Sequence, residues 1–176
     1  MGELYSINSD PSGLYYLACD GGCEAENNWQ RIYLGDTGGG VDRSWDLEID
    51  AQDRPHVAFY QGDVDGQGEK LNYLFCAAEC LVHRTQWQTG DVGLVKRAGK
   101  HPDLEVNGQN QPRIAYIDEQ GGLGYAWCNT GCENGGLFQQ TTIESGNDLY
   151  PSMLPTMPAA GGTIRAIVPL PPTSFT

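Results

Sequence analysis

Leu71-Asn72-Tyr73-Leu74-Phe75-Cys76-Ala77-Ala78-Glu79-Cys80 is one of three copies of a single pattern, L-x-Y-x-x-C-x-x-x-C. The first copy runs from Leu14-Tyr15-Tyr16-Leu17-Ala18-Cys19 to Cys23, and the third from Leu123-Gly124-Tyr125-Ala126-Trp127-Cys128 to Cys132. Together they use every cysteine of the chain. Cys19 and Cys76 lie 57 residues apart, and Cys76 and Cys128 52. Self-similarity at such a period marks a repeat architecture, in which each supersecondary unit buries its faces against its neighbours.

Working outward from the second copy, Leu47-Glu48-Ile49-Asp50 reads as a first strand and Ala51-Gln52-Asp53-Arg54 as a tight turn. Pro55-His56-Val57-Ala58-Phe59-Tyr60 is the return strand, with proline at its first position, where a missing N–H is tolerated. Gly62 to Glu69 is an acidic loop, Leu71 to Cys76 the third strand, and Trp87-Gln88 opens the fourth. The third unit repeats this order: Leu104-Glu105-Val106-Asn107, then Asn107-Gly108 as a hairpin signal, then Pro112-Arg113-Ile114-Ala115-Tyr116, Leu123 to Cys128 and Phe138-Gln139.

The first unit has a short strand at 3–8, the turn Ser9-Asp10-Pro11-Ser12-Gly13, a strand at 14–19 and another at 29–34, and lacks a first strand. Gly35 to Asp42 is a glycine-rich connector. A partial fourth copy opens at Tyr150-Pro151-Ser152-Met153, matching His101-Pro102-Asp103-Leu104, and ends in Thr163-Ile164-Arg165-Ala166-Ile167-Val168. No stretch combines helical periodicity with caps.

The expected fold is all-β: a β-propeller, or a segment of one, built of four-stranded antiparallel blades in about three and a half repeats. Residues 1–170 form one repeat domain, with a partial blade at 3–34, blades at 46–94 and 103–145, a partial blade at 150–168, and a Pro-rich tail at 169–176.

Leu47, Asp50, Pro55, Ala58, Leu71, Tyr73 and Trp87, with Leu104, Pro112, Ala115, Leu123 and Tyr125, make the sequence resemble the tandem β-propeller repeats of secreted or cell-surface bacterial proteins, with kelch- or sialidase-like blades. That resemblance implies a ligand-binding platform, a lectin-like module or a sialidase-like hydrolase.

The net charge of -13 disfavours nucleic acid and anionic membrane as partners. No run of 18 apolar residues would span a membrane. Three evenly placed cysteine pairs point to an oxidising compartment: extracellular, cell-surface or periplasmic. The start Met1-Gly2-Glu3-Leu4 lacks a basic n-region and an apolar core, so an export signal is expected to have been removed or to lie outside this sequence.

Local disulfides Cys19–Cys23, Cys76–Cys80 and Cys128–Cys132 are expected, each worth roughly 2 kcal/mol on a chain-entropy reckoning. Zinc is the competing reading, and its usual C-x-x-C spacing is not met. Asp63, Asp65 and Glu69 are candidate oxygen ligands for calcium, against the plainer reading of a solvated hairpin loop. No other cofactor is expected.

Trp29, Trp87 and Phe138, like Tyr16, Tyr73 and Tyr125, recur in register, as packing between sheets requires. Trp45 and Trp127 do not recur in kind and are candidates for a ligand-binding ring, which a sugar site would combine with Asp, Asn or Arg. His56, His83 and His101 fall at non-equivalent places, and His56 reads as a half-exposed filler. Neither G-x-S-x-G nor H-E-x-x-H occurs.

The expectation is therefore a non-enzymatic extracellular binding or structural module that takes a glycan or protein ligand, or that self-associates through open blade edges. A sialidase-like or other glycoside hydrolase is the alternative, since paired carboxylates could still meet in space.

Overall fold

The computed structural model describes residues 2–5, 13–19, 21–36, 45–63, 68–94, 100–118, 120–132, 137–145, 158–159 and 162–163. The turn before Gly13, most of the 35–42 connector, Asp65, most of the fourth copy and the 169–176 tail lie outside them.

The structure is all-β and antiparallel. The first sheet holds β1 (Gly2–Tyr5), β2 (Gly13–Ala18) and β3 (Gln30–Asp36) in that order. The second holds β4 (Trp45–Ile49), β5 (Pro55–Gln61), β6 (Lys70–Cys76) and β7 (Trp87–Leu94). The third holds β8 (Lys100–Val106), β9 (Pro112–Ile117), β10 (Leu123–Trp127) and β11 (Gln139–Glu144). A short pair, β12 (Pro158–Ala159) and β13 (Gly162–Thr163), follows. Each sheet is a simple meander, and among the described residues none closes on itself. Among the described residues the first sheet has three strands, with none in the place of β4.

The second sheet lies between the other two, so both of its faces are interior. In β5, Val57 and Phe59 meet Leu14, Tyr16 and Leu34 of the first sheet, together with Leu74, Cys76 and Trp87. Ala58, with Leu71, Tyr73 and Val92, meets Leu104, Ile114, Tyr116 and Ala126 of the third. Side chains alternate across a strand, so a strand buried on both faces must read as a continuous buried run. Pro55 to Tyr60 does so.

The same ring contact holds each junction. Tyr16 meets Trp87 edge-on at 5.1 Å between centroids, and Tyr73 meets Phe138 at 5.4 Å. The tyrosine of one unit thus rests on the fourth-strand aromatic of the next. Trp29 and Trp87 also donate Nε1–H to the carbonyl of their unit's second cysteine, Cys23 at 2.8 Å and Cys80 at 2.9 Å. All three local disulfides are formed.

Two further repeated devices go beyond the hydrophobic pattern. Each sheet carries a bulge at one register position, between Leu14 and Tyr15, Leu71 and Asn72, and Leu123 and Gly124. The extra residues on the facing strands are Leu34, Val92 and Ile143, respectively. Gly35 and Gly93 follow the first two at φ 147° and 144°, a conformation closed to most L side chains.

The second device is a five-residue Asx loop. The Oδ1 of Asp50, Asn107 and Asp118 each accepts two backbone N–H bonds, from Gln52 and Arg54, Gln109 and Gln111, and Gln120 and Gly122. The fourth residue, Asp53, Asn110 or Gly121, takes positive φ. Asn107-Gly108 therefore opens such a loop and is not the two-residue turn its dipeptide suggests.

Candidate functional site

Two clusters gather the polar side chains that the fold does not need for its ladders. The first is buried in the second sheet. His56 is only 1% exposed, which corrects the sequence reading of a half-exposed filler. Its Nδ1 lies 2.6 Å from the Tyr73 hydroxyl and its Nε2 3.2 Å from Asp50 Oδ2, the carboxylate that also meets Arg54 at 2.6 Å. Burial opposes ionisation of Asp50, but bonds from Arg54, His56 and Gln52 outweigh it and hold the pKa at about 2. Burial pushes the His56 pKa down against the pull of Asp50, so the ring is neutral. Nε2–H then donates to Asp50, and Nδ1 accepts the Tyr73 O–H. With the ring shut from solvent, this network locks the core.

The second cluster lies on the inner strands. Asp46-Leu47-Glu48 on β4 and Asp103-Leu104-Glu105 on β8 occupy the same place in successive units. Leu47 and Leu104 face inward to the cores, which turns the flanking carboxylates to the opposite faces. Asp46 Oδ2 accepts the Leu104 N–H at 2.7 Å, tying one inner strand to the next. Asp103 has its pKa raised to about 7, first by burial and then by the charges of Asp46, Glu105 and Glu48. Asp46 is also raised by burial, and Glu48 by burial and by Glu105 and Asp46.

Asp103 and Glu105 share the third sheet's far face with the aromatic residues of β10. Register places Glu105, Arg113 and Trp127 in one cross-strand row, and Asp103, Ala115 and Tyr125 in the next. Trp127 stacks on Tyr125 with centroids 5.6 Å apart and planes at 23°. Arg113 is held by Cys128 O at 2.8 Å and Asn129 Oδ1 at 2.8 Å, which fixes its guanidinium against the disulfide loop.

Of the two tryptophans singled out from sequence, Trp127 therefore stands with an arginine and carboxylates. Trp45 is opposite Phe59 and packs into the core shared with the first sheet, so the two are not brought together. Trp127 also has a counterpart in position: Phe75 holds the same register place opposite His56, the counterpart of Arg113.

Asp63 is exposed and accepts the Gly68 N–H at 2.8 Å. Glu69 is half-buried, and its Oε2 has no hydrogen-bond partner among the described residues. Asp65 lies outside the described residues. Among the described residues, no three His, Cys, Asp or Glu side chains gather closely enough to hold a metal. The inner-strand carboxylates were missed from sequence although the signal was present, as an Asp-Leu-Glu triplet repeated in register.

No family model matches the sequence, and no curated protein matches it. A solved structure similar to the chain is an endo-1,4-beta-xylanase from Bacteroides thetaiotaomicron VPI-5482, at 15% identity and a TM-score of 0.39. The similarity covers 92% of this chain and 57% of that one, so the chain spans little more than half its length. The three disulfides fit an oxidising environment. Among the described residues no helix is long and apolar enough to cross a membrane.

Proposed function

We propose that the chain is a non-catalytic binding module of the β-propeller type, secreted or displayed at a cell surface or in the periplasm, that holds a glycan on the far face of the third sheet. The observation that carries this reading is the row Glu105–Arg113–Trp127 beside Asp103. A flat ring next to fixed hydrogen-bonding groups suits a sugar, whose C–H face stacks while its hydroxyls donate to carboxylates. The carboxylates are spread along a strand, about 7 Å apart at alternate positions. That spacing suits several hydroxyls of one ligand better than a single ion.

Asp103 ionises near neutrality, and only the ionised form accepts with both oxygens. Affinity is therefore expected to rise with pH through about 7. Calorimetric titration of a hit from a glycan array checks this. Trp127→Ala is expected to weaken binding at least about tenfold, or 1.4 kcal/mol. Asp103→Asn is expected to flatten the pH profile. A ligand whose affinity ignores both substitutions would overturn the assignment.

One observation favours a second reading. A carboxyl whose pKa burial and neighbouring carboxylates raise to about 7 is the arrangement that glycoside hydrolysis demands of its acid. Turnover of a fluorogenic glycoside that Asp103→Asn abolishes would replace binding by hydrolysis.

A further inference from the structure

The two junctions inside the chain obey one rule, and among the described residues the outer faces of the first and third sheets carry the two halves of that rule without the ring contact that fills it. At the first junction Tyr16 meets Trp87, and Arg84 of the second sheet's side donates to the carbonyl of the bulged residue Leu34. At the second, Tyr73 meets Phe138, and Gln140 donates to the carbonyl of the bulged residue Val92. Each junction thus has a tyrosine on an aromatic residue, plus a side chain from the later unit capping the bulge of the earlier one.

The bulged residue reports whether its junction is filled. Leu34 is 3% exposed and Val92 2%. Ile143, at the same bulge in the third sheet, is 42% exposed. Tyr125, the counterpart of Tyr16 and Tyr73, meets no ring of another sheet among the described residues. At the other end of the stack, Trp29 is the counterpart of Trp87 and Phe138 and likewise meets no ring of another sheet among the described residues. Beside it, Arg31 is the counterpart of Gln140, exposed on the outer face with its guanidinium 6.0 Å from the Tyr15 ring. One end presents an uncovered bulge and a tyrosine. The other presents an aromatic residue and a long donor.

We infer that these two faces bind each other between copies, so that the third sheet of one chain docks head-to-tail on the first sheet of a second chain. Tyr125 then rests on the partner copy's tryptophan at position 29, and Arg31 donates to the carbonyl of Ile143, whose side chain becomes buried. The contact continues an interface the chain already makes twice. The first sheet contributes no strand in the place of β4 among the described residues, and within the chain β13 lies against β8.

A head-to-tail contact closes into a ring when the rotation per unit permits. Two copies bring six sheets, within the four to eight typical of closed propellers. The inference rests on the stacked sheets and not on the glycan reading: docking covers Trp127, as the second junction covers its counterpart Phe75, so a second copy and a glycan compete for this face, while the variants lie on β3 and β11.

Light scattering coupled to size exclusion tests it on the whole chain, with loading varied over roughly 1–100 µM. The expected mass is twice the 19.2 kDa of one chain. Arg31→Glu and Ile143→Asp both sit at exposed positions, and each is expected to give a monomer with an unchanged circular dichroism spectrum. An equimolar mixture of the two variants is expected to re-form dimer, because one of its two junctions is intact.

A wild-type monomer at every loading would overturn the inference, since another segment or partner would then hold the face. A dimer that survives both substitutions would overturn it too, as would a mixture that stays monomeric while wild type pairs.

Discussion

Trp87→Ala is expected to destabilise the chain by about 3–5 kcal/mol, the range for deleting a large buried aromatic. Trp87 is 3% exposed, packs edge-on against Tyr16 across the first junction, and anchors the Cys80 turn through its indole N–H. Its loss opens a cavity between two sheets and strands a carbonyl. Trp87→Phe keeps the ring and loses the hydrogen bond, so its cost should fall to about 1–2 kcal/mol. Urea denaturation of the two variants measures the difference. Equal losses would place the stabilisation in the hydrogen bond and not in the packing.

His56→Ala is expected to cost about 2–4 kcal/mol at pH 7.5, because it leaves the Tyr73 hydroxyl and the Asp50 carboxylate without their shared partner in a closed interior. It should also change the response to acid. The folded His56 has its pKa below the ordinary 6.5, so below 6.5 the unfolded chain binds more protons than the folded one. Stability attributable to His56 therefore falls as pH falls through that window.

Asp103 acts in the opposite sense. Its folded pKa of about 7 lies above 3.8, so its contribution is complete below 3.8 and is lost as pH rises to about 7. Asp50, held at about 2, contributes above 3.8 and loses that contribution only as pH falls toward 2. Denaturation midpoints across pH 2–8 separate the three. His56→Ala should flatten the acid side of the wild-type profile, while Asp103→Asn should raise stability at pH 8 by on the order of 1 kcal/mol, the full shift being discounted for partial exposure. An unchanged profile in His56→Ala would mean that folding does not shift the ring's pKa.

The sheet plan was legible because packing between copies imposes the same residue at the same place. Tyr16 with Trp87 and Tyr73 with Phe138 make one contact twice, and the sequence repeats the same residue types at Tyr125 and Trp29. The bulges at Leu34, Val92 and Ile143 were not legible, since one extra residue shifts a strand without changing which residues are apolar. The Asx loops escaped because the organising group is a side chain: Asp50, Asn107 and Asp118 differ in kind but accept the same two N–H bonds. Asn107-Gly108 mimicked a shorter turn for that reason.

His56 misled because it stands beside the proline that opens the strand, whereas β5 is sandwiched on both faces and Pro55 to Tyr60 are all buried. Trp127 could be suspected from its chemistry, but only register across β8, β9 and β10 puts Glu105 and Arg113 beside it.

A double-mutant cycle on Tyr73 and Phe138 is the most direct test of the stacked units. If the tyrosine of one sheet bears on the ring of the next, Tyr73→Leu and Phe138→Leu should be non-additive, with a coupling of about 0.5–1.5 kcal/mol. Strictly additive losses would mean that the two rings do not meet and that the sheets are not stacked by this repeated contact.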